Sequence, residues 1–446
     1  MYDIIILGAG PGGYELALEA SKKGLSVALI EADEVGGTCL NYGCIPTKTY
    51  YQNAKFINEL NKSEQLGIDV QYTFDFNKAI NRKEKVVSSL KEGIKFLLTK
   101  AKVDFIQGFG RLVDSHSVIV NNTIYQAKYI VIATGSSSVE LKLPGFDSQN
   151  VISSQQLLAL KELPKRLVVI GGGVIGIEMA SIFHRFGCDV EVIEMCEQIL
   201  PTVDQEIAKR LQAYLKQQGI KIHTKSTVVE IEDHQEVIVK LISKEKEMIM
   251  PCDKVLLSVG RKPNVSNIGL DEVGITYSKK GILVNENFQT NVPNIYAIGD
   301  VTGKMMLAHV ATYNGYRVLH HILQETDTIR FDLVPSCVFT FPEVASIGMT
   351  EEEAKEKGFD ITIGKAYYRA NGKAVSMNET DGFIKIIACD ERIIGVHIIG
   401  YEASVLIHEA LSLVNEEIKI AHACDYIHAH PTLSEIFASA LKELKK

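Results

Sequence analysis

A chain of 446 residues is too long for one hydrophobic core, so roughly two to four domains are expected. Hydrophobic and charged contents of 46% and 23% are those of an ordinary globular protein, and a net charge of −8 leaves no basic footprint for nucleic acid or an anionic membrane. No apolar stretch reaches the ~18–20 residues of a membrane helix, and no basic segment leads into a cleavable apolar one. Neither a membrane span nor a secretory leader is therefore expected. Eight cysteines, six of them scattered, make no disulfide framework, which points to reducing cytoplasm.

In chain order, the apolar run Ile4-Ile-Ile-Leu7 reads as a strand and leads into Gly8-Ala-Gly10-Pro-Gly-Gly13. An apolar helix follows from Tyr14 to Lys23, then a β-rich run from Ser26 to Ile30 that ends on Glu31. Just beyond comes Gly36-Gly37-Thr-Cys39-Leu-Asn-Tyr-Gly43-Cys44-Ile-Pro-Thr-Lys48, where two cysteines stand five residues apart. On an ideal helix that spacing puts their Cα atoms roughly 8–9 Å apart, and a disulfide tolerates at most ~7 Å. Closing the pair must distort the turn, which Gly43 permits, and strained bridges are the labile, redox-active kind. Two unrelated core thiols are the alternative, since unpaired cysteine is commonly buried.

Further on, Ser117 to Tyr125 reads as a hairpin turning at Asn121-Asn122, and Tyr129-Ile-Val-Ile-Ala-Thr134-Gly135 as a buried strand ending at a glycine. Then the opening pattern returns. Arg166-Leu-Val-Val-Ile170 leads into Gly171-Gly-Gly173-Val-Ile-Gly176, a helix from Ile177 to Phe186 follows, and Asp189 to Ile193 ends on Glu194. A lone G-x-G-x-x-G is weak evidence, but here Gly8, Gly10, Gly13, Gly24 and Glu31 each recur 163 positions later. In such a strand–helix–strand unit the first glycine makes a tight turn, and the second lets backbone approach a pyrophosphate. The third lets helix and strand pack closely, and the acid accepts hydrogen bonds from a ribose. Two dinucleotides are therefore expected. A 2′-phosphate would repel Glu194, and Met195-Cys196-Glu197 supplies no cation, so the second site should prefer NAD over NADP.

Lys254 to Gly260 reads as another buried strand. From about Phe331 the glycine fingerprints stop and the pattern becomes α+β: a helix from Glu351 to Lys357, strand-like sequence from Gly382 to Ile399, and a helix from Ala403 to Glu416. A separate C-terminal domain is expected from near Pro335.

Taken with Val259-Gly260-Arg-Lys-Pro-Asn264, Asn291 to Asp300, Met306-Leu-Ala308-His309 and His428-Ala-His430-Pro-Thr-Leu-Ser-Glu435, these motifs give a set that resembles the FAD-dependent pyridine nucleotide–disulfide oxidoreductases over essentially the whole chain. Within that family the chain is most similar to the branch that oxidises dihydrolipoamide. The fold class so implied is α/β: two Rossmann-like dinucleotide-binding domains, for FAD and NAD, plus an α+β C-terminal dimerisation domain. The FAD domain would comprise residues 1–145 and 264–333, the NAD domain 146–263, and the interface domain 334–446.

The resemblance further implies that Gly8, Gly10, Gly13, Glu31, Lys48, Thr134, Gly135, Asp300 and Ala308 serve FAD. It assigns Gly171, Gly173, Gly176, Glu194 and Gly260 to NAD, and no metal. Lys48 and Glu178 would form an ion pair near the flavin; from the residues alone, both read as surface charges on helices. His430 would be the base that deprotonates a substrate dithiol, with Glu435 fixing its tautomer, while His428 reads as a capped surface histidine. Cys39 would be the interchange thiol and Cys44 the leaving thiolate held against the flavin. The family places the base of one subunit against the disulfide of the other, so a homodimer with shared sites is implied. A lipoylated protein of a 2-oxo acid dehydrogenase complex or a glycine cleavage system would be the partner. A glutathione reductase-like enzyme is the near rival, and a flavin-binding scaffold without significant turnover the distant one. Against the first stands Glu194, and against the second the presence of every redox group.

Overall fold

The structure is a computed structural model and describes residues Met1–Lys445. The chain forms two compact units, each assembled from separate stretches. One comprises Met1–Thr49, Ile80–Val139 and Gly260–Ile329, and the other Tyr50–Ala79, Glu140–Val259 and the chain from Arg330 onward.

The first unit is built on a parallel sheet in which Tyr2–Leu7 lies between Val27–Glu31 and Thr123–Ile132. Asp104–Gln107 and Ile295–Ala297 extend it on the two sides. Ile4, Ile5, Ile6 and Leu7 are all buried, as an apolar run covered on both faces requires. The helix Pro11–Lys22 opens with Pro at its start and buries Leu16, Ala17 and Ala20. It ends at Gly24, whose φ of +83° lets Leu25 N–H reach back to Ala20 O at 3.1 Å. The expected hairpin is present, with Asn121 and Asn122 both left-handed at φ 48° and 65°. Its second arm does not stop, however: the hairpin arm and the strand expected from Tyr129 are one continuous strand, Thr123–Ile132.

In the second unit Arg166–Ile170 is the centre of a five-stranded parallel sheet, flanked by Asp189–Ile193 and Lys254–Leu257, with Lys221–His223 and Val151–Ile152 at the edges. An antiparallel meander, Ser226–Asp233, Val237–Ser243 and Lys246–Cys252, follows. The sequence reading does not foresee it, because its last turn is Lys244-Glu245 at φ 49° and 66° instead of an Asn-Gly type. The C-terminal part is an antiparallel sheet ordered Ser336–Val338, Glu343–Gly348, Arg392–Gly400, Phe383–Cys389, Thr362–Tyr367. The strand-like stretch from Gly382 is thus a hairpin, turning at Asp390-Glu391. Helices Ala403–Asn415 and Glu435–Glu443 pack their apolar stripes on this sheet. Among the described residues no helix is long and apolar enough to cross a membrane.

Lys385, in the middle of the C-terminal sheet, is fully buried. Its ammonium lies 2.8 Å from Asp204 Oδ2 and 2.5 Å from Glu351 Oε2. The other oxygen of Asp204 caps the helix Gln205–Gln217 by accepting from Glu206 and Ile207 N–H. Burial pushes the Asp204 carboxyl up, but the Lys385 ammonium, His397 and the Ile207 N–H together hold the group below its ordinary range. One carboxylate therefore both caps a helix of the parallel-sheet domain and pairs with the C-terminal sheet. Lys385→Met should destabilise the folded protein by roughly 3–5 kcal/mol, because it leaves a buried carboxylate unpaired. Chemical denaturation of the variant checks this, with less than ~1 kcal/mol counting against it.

Candidate active site

The first glycine cradle sits where the strand Tyr2–Leu7 turns into the helix Pro11–Lys22. Gly8 has φ +109°, and a Cβ there would lie 2.3 Å from Ala133 O; at Gly13 one would lie 1.9 Å from Gly8 O. Nothing stands within 4 Å of the Cβ direction at Gly10, so the loop opens where a pyrophosphate would approach. Glu31 at the end of the next strand accepts Ala9 N–H at 2.7 Å through Oε2 and Asp33 N–H at 2.8 Å through Oε1. The second cradle repeats this geometry. Cβ atoms at Gly171 and Gly176 would meet Ser258 O at 2.4 Å and Gly171 O at 2.0 Å, while Gly173 is open. Glu194 is buried and accepts Gly172 N–H at 2.6 Å and Cys196 N–H at 2.7 Å. Both cradles thus have the shape and donors that a dinucleotide needs.

The remaining residues expected around the first cradle gather in the same unit. Thr134 Oγ1 donates to Asn264 O, and Asn264 returns a bond from Nδ2 to Thr134 O, each at 2.9 Å. The Val259–Asn264 motif therefore clasps the glycine turn at Gly135, which has φ +69° and open space at its Cβ. Ser136 Oγ donates to Asp300 Oδ2 at 2.5 Å and accepts from Arg261 Nε at 2.7 Å, fixing the Asp300 carboxylate. Gly299, beside it, is held by Asn314 Oδ1 at 3.1 Å. Ala308 opens the helix Ala308–Leu323, which presses on the fingerprint helix so closely that a Cβ at Gly12 would sit 2.9 Å from Ala311 O. Ser136 and Asn314 carry no sequence signal of their own. Asn264 and Arg261 lie in a motif whose mechanical role only the fold displays.

The cysteine segment abuts the first cradle. Gly36 N–H donates to Ala9 O at 2.8 Å, and a Cβ at Gly37 would lie 2.7 Å from Gly10 Cα. The helix that starts at Gly37 stops at Tyr42, and a new one, Cys44–Leu60, starts two residues later. Gly43 joins them with φ −137° and ψ −104°, the break that the distance argument demands. Cys39 and Cys44 face one another across it: hydrogen bonding from the Cys44 sulfur, together with burial, pushes the Cys39 thiol up, and the Lys48 ammonium pulls the other way. Cys39, Cys44 and Lys48 are thus together. Cys44 heads a 17-residue helix, where the dipole favours negative charge.

In the second unit, Glu178 is buried on the helix Val174–Arg185, and its Oε1 accepts Phe339 N–H at 3.0 Å. His430 and Glu435 meet: Nδ1 is 2.9 Å from Oε1, and Oε2 accepts Thr432 N–H at 2.8 Å. The Thr432 amide first, and then His430, hold the Glu435 carboxyl below its ordinary range. A carboxylate can only accept, so the exposed imidazole donates Nδ1–H to Glu435 and is oriented by that bond. His428 is more than a capped surface group, since its Nε2 lies 2.7 Å from Glu409 Oε1 on the neighbouring helix. Among the described residues no cluster of three or more His, Cys, Asp or Glu could hold a metal.

Residues 2–315 match the family described as pyridine nucleotide-disulphide oxidoreductase, and residues 334–441 match its dimerisation domain. The chain is 39% identical over 448 residues to the dihydrolipoyl dehydrogenase of Chlamydia muridarum, covering 98% of this chain and 96% of that one. With the dihydrolipoyl dehydrogenase of Bacillus subtilis it shares 36% over 447 residues, covering 98% and 97%. Among solved structures, the HOCl-induced flavoprotein disulfide reductase RclA from Escherichia coli matches with a TM-score of 0.89 at 31% identity, covering 99% of both chains. The chain therefore belongs to the pyridine nucleotide-disulphide oxidoreductases, as a homodimeric flavoprotein enzyme with FAD and NAD as cofactors and a disulfide redox centre.

Proposed function

We propose that the enzyme is a dihydrolipoyl dehydrogenase, which oxidises dihydrolipoamide borne by another protein and delivers the electron pair to NAD⁺. Glu194 carries this reading: a buried carboxylate fixed by two backbone N–H groups suits a ribose hydroxyl and repels a 2′-phosphate, which favours the NAD-linked direction. The residues of 1–145 and 264–333 would hold FAD, those of 146–263 NAD, and those from 334 on the subunit interface.

The chain's own residues account for the sulfur chemistry. His430 Nε2 takes the proton of one substrate thiol, and Glu435 stabilises the imidazolium that results. The thiolate attacks Cys39 Sγ of the Cys39–Cys44 disulfide; the S–S bond breaks and Cys44 leaves as a thiolate at its helix N-terminus. The second substrate thiol then attacks the substrate sulfur of the mixed disulfide, which frees Cys39 and closes the lipoyl ring. The proton of the second substrate thiol passes to Cys39 as it leaves, and the negative charge stays on Cys44 at its helix N-terminus. FAD, held at the glycine cradle of Gly8, Gly10 and Gly13, would supply the two-electron chemistry that restores the disulfide, with NAD⁺ at the second cradle as the final acceptor. Lys48 and Glu178 serve as charges that orient the reacting groups.

The base of one subunit deprotonates the thiol that attacks the disulfide of its partner, so each site needs both chains. The substrate arrives on a lipoylated protein of a 2-oxo acid dehydrogenase complex or a glycine cleavage system, in the cytoplasm. Side-by-side assays test the reading. Dihydrolipoamide with NAD⁺ should outpace glutathione disulfide with NADPH by at least about 100-fold in kcat/KM. The reverse ranking would identify a small-disulfide reductase instead.

A further inference from the structure

The sequence supplies no cation directly after Glu194, but the fold supplies one from elsewhere. Lys225, 31 residues later, is brought to the same loop: its backbone N–H donates to Cys196 O at 2.9 Å, and Cys196 N–H in turn donates to Glu194. Ser226 N–H donates to Glu194 O at 3.0 Å, so the two stretches are laced together at Glu194 and at Cys196. Lys225 is held at φ +53°, a left-handed conformation that a lysine rarely adopts. Its side chain is about half exposed, and its ammonium is engaged by Glu197, at 2.5 Å. A cation beside the ribose acid is the device by which a 2′-phosphate is accommodated in such units, and here a carboxylate sits on it.

We propose that Lys225 is a cation able to bind the 2′-phosphate of a dinucleotide and that Glu197 masks it, which makes the Glu197–Lys225 pair a coenzyme-specificity element alongside Glu194. This rests on the NAD reading of the second cradle. Glu194 rejects the phosphate directly, while Glu197 acts by occupying an ammonium in the loop that would attract it. Glu197 also adds a second negative charge to the loop, so its removal both lowers repulsion and releases the ammonium. Glu197→Gln keeps the size and the hydrogen-bonding capacity of the side chain but not its charge.

The test uses the FAD-loaded, full-length enzyme and measures binding by calorimetry, with adenosine 2′,5′-bisphosphate and 5′-AMP as probes. The parent should bind 5′-AMP in preference to the bisphosphate. Glu197→Gln should tighten the bisphosphate about tenfold, and the gain should shrink as salt is raised. The double variant Glu197→Gln/Lys225→Ala should return to within about twofold of the parent, while binding of 5′-AMP by both variants shows that the cradle has folded. A flat response to Glu197→Gln in a parent that rejects the bisphosphate would overturn the mask alone, as would a double variant that keeps the gain. A parent that binds both probes equally would overturn the NAD reading and the mask with it.

Discussion

Replacing either Cys39 or Cys44 by serine should lower turnover of dihydrolipoamide with NAD⁺ by at least three orders of magnitude, on the order of what removing a catalytic nucleophile costs elsewhere. Serine preserves size and polarity, so the helix break at Gly43 and its seat against the first cradle should survive, and the variants should still bind FAD. Electron transfer from NADH to an artificial acceptor does not pass through sulfur and should persist in both. That split separates a lost relay from a lost fold. A Cys44→Ser enzyme retaining a tenth of parent turnover would mean that the electrons travel by another route.

His430→Ala should cost about 10²–10⁴ in kcat/KM for the dithiol, the usual range for a general base. Glu435→Gln should cost less, about tenfold in kcat/KM. Thr432 N–H and His430 hold Glu435 below the ordinary carboxylate range, so it is an anion throughout the assay range, and its neutral replacement removes the charge that faces the imidazolium formed in the reaction. An undiminished kcat/KM in Glu435→Gln would make the carboxylate a loop anchor through Thr432 and nothing more. Subunit exchange gives the complementary result. A heterodimer of Cys44→Ser and His430→Ala chains should have one intact site and one doubly damaged site if sites are shared, and so about half the parent activity per dimer. Heterodimers as inactive as both parents would place base and disulfide in the same chain.

Much of this was legible in the sequence because it depends on local periodicity. Glycine turn, helix and terminal acid lie within 24 residues in each cradle, directly after an apolar strand, and the structure puts them where the spacing says. The break between the cysteines was legible too, since a distance limit and one glycine suffice to require it. The meander after His223 was not, because its last tight turn is made of lysine and glutamate, and residue types alone do not announce that conformation. Nor was the clasp between Thr134 and Asn264, whose partners lie 130 residues apart. His428 illustrates the limit at single residues, since only the helix carrying Glu409 distinguishes an anchored imidazole from a solvated one.

Gly36 and Gly37 leave no clearance between the redox turn and the loop at Ala9 and Gly10. The cysteine turn and the first glycine loop are therefore a single mechanical part, and neither shifts while the other stays. A substitution that widens the glycine loop displaces the thiols as well, and oxidative damage at the turn presses back on the loop. Damage to either function is inherited by the other.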